Sequence, residues 1–288
     1  ETVALVIPLA ALAFYVIPWR TARTIAAFGF LFFPAFLRGE PLATAGYSYI
    51  ILRMHDAATA KTSVSEFIRR SFLFPSFLCG PIVLSGQTWI REKFLRPQDV
   101  WLICLGLIKV LILLPFWNAH FETGLLLPFQ PDVSGFMNLL KTGIYRYAQL
   151  YLDFSGIIDI AAGVSGLLGM RIRHNFNRPW LASSVGDFWR RWHITLGAWM
   201  RRHVYIPLGK TRFALFLVFL LVGAWHGLKL HFILWGALHG LAIITERFAS
   251  SHWSLPEFLA RHTIAIRGLR IVLTQLFVTL SWVLFFWA

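Results

Sequence analysis

Long apolar runs separated by short polar ones organise the chain. The first, Val3 to Trp19, closes at Pro18 and at Arg20 and Arg23. A helix rises about 1.5 Å per residue, so these roughly 17 residues just cross a hydrocarbon core of about 30 Å. Ile25 to Leu37 is too short to span alone and reads as a re-entrant or interfacial segment, or as part of a tilted span. Ala43 to Leu52 leads into Arg53, His55 and Asp56. Charges there are costly in lipid, so these residues are expected to face a bundle interior or an interface. Phe67 to Gly86 carries Pro75, Gly80 and Pro81, which free backbone groups that neighbours or water must satisfy. This piece is expected to bend or end beside a cavity.

Trp101 to Trp117 is a clear span interrupted only by Lys109, and Leu125 to Ser134 reads as an exposed loop. Phe136 to Gly169 is long enough for two crossings, or for one crossing with a broken partner. Within it Tyr145, Tyr147, Gln149, Tyr151, Asp153, Ser155 and Asp159 form a polar stripe expected to face inward, because polar groups in hydrocarbon must pair or line water. The stripe is either a hydrogen-bonded helix interface or a substrate lining. Phe213 to Trp225 and Phe232 to Ile244 are short runs, whereas Ile264 to Ala288 is a full crossing. No internal repeat or low-complexity linker divides the chain, so residues 1–288 are read as one integral-membrane domain.

Composition agrees with this pattern. With 57% hydrophobic and 14% charged residues and a mean hydropathy of +0.64, the chain is far more apolar than a soluble domain, and it reads as an all-α polytopic membrane bundle. The net charge of +14 is assigned to loops facing anionic lipid rather than to nucleic acid. Arg171, Arg173, Arg178, Arg190, Arg191, Arg201, Arg202, Lys210 and Arg212 put the segment they occupy on the cytoplasmic side. Cys79 and Cys104 both lie in apolar runs and read as buried small hydrophobes, with no disulfide or metal site implied. The chain starts at Glu1 without Met or an evident signal peptide, so an earlier portion is expected to have been removed.

Candidate chemistry concentrates between Arg171 and His239. In Asp187 to Arg202, Phe188, Trp192, Leu196 and Trp199 recur at intervals of three and four while arginines take other faces, which predicts one amphipathic helix at or beneath the membrane surface. Ser183 or Ser184 is placed to cap it, with Asp187 in its first turn. His193 follows Trp192 on this helix, His226 follows Trp225 in WHG, and His239 lies in LHG. A buried imidazole stays neutral and can take a proton from a hydroxyl attacking a carbonyl. The sequence holds no HExxH, GxSxG or CxxC signature. A satisfied structural role for each histidine therefore stands beside the catalytic one.

The run LDFSGIIDIAAGVSGLLGMRIRHNFNRPWLASSVGDFWRRWHITLGAWMRRHVYIPLG, followed by GAWHG and WGALHG, resembles the membrane-bound O-acyltransferase family. The likeness is to its bacterial branch, which acylates alginate and teichoic acid. It runs from about Tyr47 to Ala288 and includes FPSFLCGPIV. It departs from the family in the short stretch between PLG and WHG and in a final span that ends without arginine. Membership implies tilted and short helices around a central funnel or tunnel. The invariant family histidine would be His226, through its WHG context, and the second polar position would be His193.

The resemblance then implies acyl transfer, most simply of acetyl, from a thioester donor such as acetyl-coenzyme A or an acyl carrier protein, which is a substrate and not a bound cofactor. His226 is the expected general base. His193 orients the acceptor or polarises the carbonyl, and Trp192 or backbone amides meet the oxyanion. Arg190, Arg191 and Arg201 are expected to hold donor phosphates or an acidic carrier, or else to anchor the protein to anionic lipid. Asp153, Ser155 and Trp225 complete the expected substrate lining, and Asp159 either joins it or fastens helices. The expected partners are membrane lipid, the donor and an extracytoplasmic glycan acyltransferase, and the expected location is the bacterial inner membrane. Two rival readings are an ion-coupled transporter or channel, and a noncatalytic scaffold of an acylation complex.

Overall fold

The computed structural model describes residues 9–14, 16–17, 20–38, 47–60, 62–63, 65–66, 81–85, 96–121, 132–252 and 263–287. They form helices α1 (Arg20–Arg38), α2 (Tyr47–Thr59), α3 (Pro97–Phe121), α4 (Val133–Leu167), α5 (Val185–Arg191), α6 (Ile194–Met200), α7 (Arg212–His226), α8 (Leu230–His252) and α9 (Thr263–Phe285). No strand occurs among the described residues. α3, α4, α8 and α9 are each long and apolar enough to cross a bilayer, so this is an all-α integral membrane protein. Much of the run Val3 to Trp19, most of Phe67 to Gly86, Cys79 and most of the expected loop Leu125 to Ser134 lie outside the described residues.

α4 resolves the ambiguity in its sequence. Phe136 to Gly169 forms one continuous crossing, 35 residues long from Val133 to Leu167. Asp132 accepts from the Gly135 amide at 2.8 Å and caps it. At 1.5 Å per residue it is roughly 50 Å long, so it tilts or stands clear of the hydrocarbon. α3 packs antiparallel along it, and its path includes a π-helical turn, Ile108–Leu113. That turn carries Lys109, whose Nζ lies 2.6 Å from Asp159 Oδ2 on α4. Of the two roles open to Asp159, the structure gives it the helix-fastening one.

α7 and α8 form a close hairpin. A methyl group added at Gly223 would meet the Phe232 carbonyl, and one at Gly236 the Phe219 carbonyl, so only glycine lets these backbones approach. α7 has 15 residues, or about 22 Å, less than a hydrocarbon thickness. Its C-terminal His226 therefore lies at membrane depth when Arg212 sits at an interface.

α2 extends the third apolar run to Thr59. Arg53, His55 and Asp56 are almost wholly buried inside the bundle, as expected of charges on such a segment. The packing pairs the end of α4 with the start of α3, the start of α7 with the end of α8, and the end of α8 with the start of α9. Arg212, Arg247 and Arg270 gather where α7 starts, α8 ends and α9 starts.

The structure corrects one expected element. Asp187 to Arg202 is not a single amphipathic helix on the membrane surface. α5 ends at Arg191, His193 adopts the left-handed conformation (φ 44°, ψ 51°), α6 starts at Ile194, and a π-helical turn spans Arg201–Tyr205. Phe188, Trp192, Leu196 and Trp199 are at most 4% exposed, so the apolar stripe faces protein rather than lipid. The periodicity was that of a buried face, which a lipid-facing stripe shares.

Candidate active site

The corner between α5 and α6 is where the family-type motifs meet. Ser184 caps α5 by accepting from the Asp187 amide at 3.0 Å, and Glu246 of α8 accepts from the Val185 and Gly186 amides at 2.8 and 2.9 Å. A carboxylate at a helix N-terminus suits the partial positive charge there. α5 is thereby fixed to α8, and the chain leaving it delivers His193 into the bundle at 5% exposure.

A cavity of about 470 Å³ opens beside this corner, lined among others by Trp189, Arg190, His193, Arg201, Glu246 and Arg247. Its remaining wall is largely apolar, from α6, α7 and α8. Arg190 and Arg201 are exposed, while Arg247 donates to the Tyr205 hydroxyl at 3.2 Å. Glu246 is occupied by the α5 amides, so Arg190, Arg201 and Arg247 supply the positive charge along the cavity. Arg190 shares only a 3.3 Å contact with Asp187, and its side chain is 71% exposed. Arg191 is held by Asp187 at 2.9 Å and by the Asn177 carbonyl, and it does not line the cavity.

Aromatic rings carry the site inward from His193. The imidazole meets Phe154 (ring centroids 4.8 Å apart), Trp225 (6.0 Å) and Tyr49 (6.2 Å). The Tyr49 hydroxyl lies 3.4 Å from His193 Nε2, while Nδ1 is buried without a hydrogen-bond partner among the described residues. His226 follows Trp225, with its ring against Phe285 (4.8 Å) and Trp235 (5.8 Å), and it is near enough for a charge on it to disfavour a charge on His193. Burial, with this repulsion second, holds the His193 imidazole far below its ordinary range, at about 3, so it is neutral at physiological pH.

The other sequence candidates take different places. Trp192 is buried among Tyr147, Tyr151, Phe176 and Trp282, away from the cavity wall. Ser155 is buried in α4, and Asp153 is exposed on α4 and does not line the cavity. Trp225 is buried between Tyr49, His193 and His226. His239 has the bland role. The Trp189 indole can only donate, so His239 Nδ1 accepts from it (3.1 Å), and His239 Nε2 donates to Ser281 Oγ (3.0 Å), which donates on to the Val278 carbonyl (2.7 Å). Among the described residues, no group of three His, Cys, Asp or Glu side chains converges to hold a metal.

Sequence reasoning missed Tyr49, Glu246 and Arg247. Each comes from a helix distant in sequence, so spacing gives no signal for it.

Residues 5–287 match the membrane-bound O-acyltransferase family. A peptidoglycan O-acetyltransferase of Helicobacter pylori is 32% identical over 252 residues, 79% of this chain and 45% of that protein. A probable alginate O-acetylase AlgI of Pseudomonas aeruginosa is 41% identical over 253 residues, 83% of this chain and 46% of that protein. A teichoic acid D-alanyltransferase of Bacillus subtilis is 32% identical over 179 residues, 54% and 44% of the two chains. The chain thus spans about half the length of the relatives it matches. With the motif helices folded around one buried histidine corner and the family match running through nearly every residue, the chain belongs to the membrane-bound O-acyltransferase family.

Proposed function

We propose that this chain forms the reaction chamber of an O-acyltransferase of the bacterial cytoplasmic membrane. It moves an acyl group, acetyl in this reading, from a cytoplasmic thioester to a hydroxyl of a cell-envelope glycan or of a partner transferase. The observation that carries the reading is the arginine-flanked cavity, largely apolar inside, that reaches a buried neutral His193, with Trp225 packed against both it and His226, which itself does not line the cavity. A thioester donor has the matching form: phosphate at one end, a slender arm, and the reactive carbonyl at the tip. Arg190, Arg201 and Arg247 would meet the phosphate, which coenzyme A and a carrier protein share.

In this chemistry His226 takes the proton of the acceptor hydroxyl as its oxygen attacks the thioester carbonyl. The new C–O bond forms, and the carbonyl becomes an oxyanion to which His193 Nδ1–H donates. The Tyr49 hydroxyl donating to Nε2 favours that tautomer. The oxyanion then collapses, the C–S bond breaks, and the thiolate leaves with the proton held by His226. Trp225 packs against both imidazoles, its ring 6.0 Å from that of His193 and 4.7 Å from that of His226.

The test is mass spectrometry of acylated envelope glycans from cells carrying His226→Ala or His193→Ala, with insertion and folding checked. Loss of the general base is expected to lower transfer by roughly 10²–10⁴-fold. Full transfer by a folded, inserted His226→Ala protein overturns the reading.

A further inference from the structure

We propose that Asn175 is the positioning residue for His193, and that it caps α6 from outside so that the residue at the helix start is released for chemistry; this rests on the acyl-transfer reading above. A helix N-terminus leaves amides without internal partners, and normally the residue at the N-cap satisfies one of them with a short polar side chain while its own backbone is extended. At α6 that position is His193. Its side chain makes no capping bond and its backbone is left-handed, a conformation unfavourable for a residue with a Cβ.

Asn175 does the capping instead. Its main-chain oxygen accepts from the Ile194 amide at 3.1 Å, and its Oδ1 accepts from the Thr195 amide at 3.0 Å and from Thr195 Oγ1 at 2.6 Å. Thr195 Oγ1 in turn accepts from the Ile82 amide at 3.0 Å, which fastens the corner to a third segment. Asn175 is wholly buried and Thr195 is 2% exposed, so no water competes for these bonds. The clamp holds the two residues on the C-terminal side of His193 and fixes the direction in which the imidazole leaves the backbone. That direction puts it against Phe154, Tyr49 and Trp225, with Nδ1 unpartnered among the described residues and the residue lining the cavity. Without the Asn175 side-chain oxygen, the Thr195 amide at the start of α6 would be buried and unpaired. The favourable response is for His193 to relax to the extended conformation and turn inward to cap its own helix, withdrawing from the reaction space.

The experiment compares Asn175→Ala with Asn175→Asp, which keeps the acceptor oxygen, in the full chain within membranes. Displacing one group by about 1 Å costs about 10²-fold in rate. Asn175→Ala is accordingly expected to lose about that much in kcat while KM for the thioester stays near wild type, and Asn175→Asp to recover most of it. A loss confined to KM, or an equal loss in both variants at equal thermal stability, overturns the proposal. If Asn175→Ala does not fold, Thr195→Val stands in, with a smaller fall in kcat expected; wild-type kcat in that variant overturns the proposal. A second readout does not depend on transfer: carbethoxylation of His193 by diethyl pyrocarbonate, followed by mass spectrometry. It is expected to change in rate in Asn175→Ala or Thr195→Val and to keep the wild-type rate in Asn175→Asp. Unchanged His193 reactivity in the folded alanine or valine variant overturns the positioning role. Undiminished transfer by His226→Ala and His193→Ala would instead overturn the acyl-transfer reading and leave this readout standing.

Discussion

His193 and His239 occupy similar sequence contexts, each beside an aromatic or a glycine in an apolar stretch, yet the fold gives them opposite tasks. His239 has both nitrogens committed, to Trp189 and Ser281, so it has no capacity to accept a substrate proton. Replacing it with leucine leaves the part-buried Trp189 N–H without its acceptor and is expected to destabilise the protein by about 1 kcal/mol in thermal or denaturant unfolding. The folded fraction is expected to retain far more transfer than His226→Ala. His193 lies between α5 and α6, outside the long spanning helices, and its lowered pKa has a consequence for stability. The unfolded chain takes up this proton near pH 6.5 and the folded chain only near pH 3. The contribution from a neutral His193 is therefore complete above about pH 6.5 and is lost as pH falls through that window. Unfolding followed between pH 7 and about 4 should show less acid destabilisation in His193→Gln than in the wild type.

At the scale of elements, a buried ion pair and close helix approach hold the bundle. Lys109 and Asp159 join α3 to α4 with side chains only 13% and 12% exposed. Removing one partner strands a charge at membrane depth. Asp159→Leu is expected to cost about 3–5 kcal/mol in a detergent unfolding measurement, and adding Lys109→Leu should recover most of it. Equal stability of the single and double variants would show that the pair does not fasten the helices. The extent of the spans was legible from apolar run length at α3 and α9, because hydrocarbon thickness imposes one length on any crossing helix, whereas the longer run behind α4 fitted one crossing or two. The break at Trp192 and His193 was not legible. The sequence repeats at three and four straight through it, and the left-handed corner depends on Asn175 reaching across from a segment 18 residues upstream.

At the scale of the whole molecule, Arg190, Arg201 and Arg247 flank the cavity, and in the proposed reading the same charge asymmetry would serve membrane orientation and donor capture. In a background of Cys79→Ser and Cys104→Ser, Lys210→Cys is expected to react with an impermeant maleimide only after the membrane is opened. Ser134→Cys, at the far end of α4, should react in intact spheroplasts. The reverse pattern would place the cavity on the wrong side for a cytoplasmic donor. By itself the sequence determined the membrane class, the helical architecture and the acyltransferase family, because run length, charge distribution and local motifs are properties of contiguous residues. Only the tertiary structure decided which histidine is structural and which arginines flank the cavity. It also decided that Asp159 fastens helices and that Tyr49, Glu246, Arg247 and Asn175 come together around the His193 corner. Those are decided by hydrogen-bond partners and burial, which come from residues tens of positions away and which no spacing along the chain records.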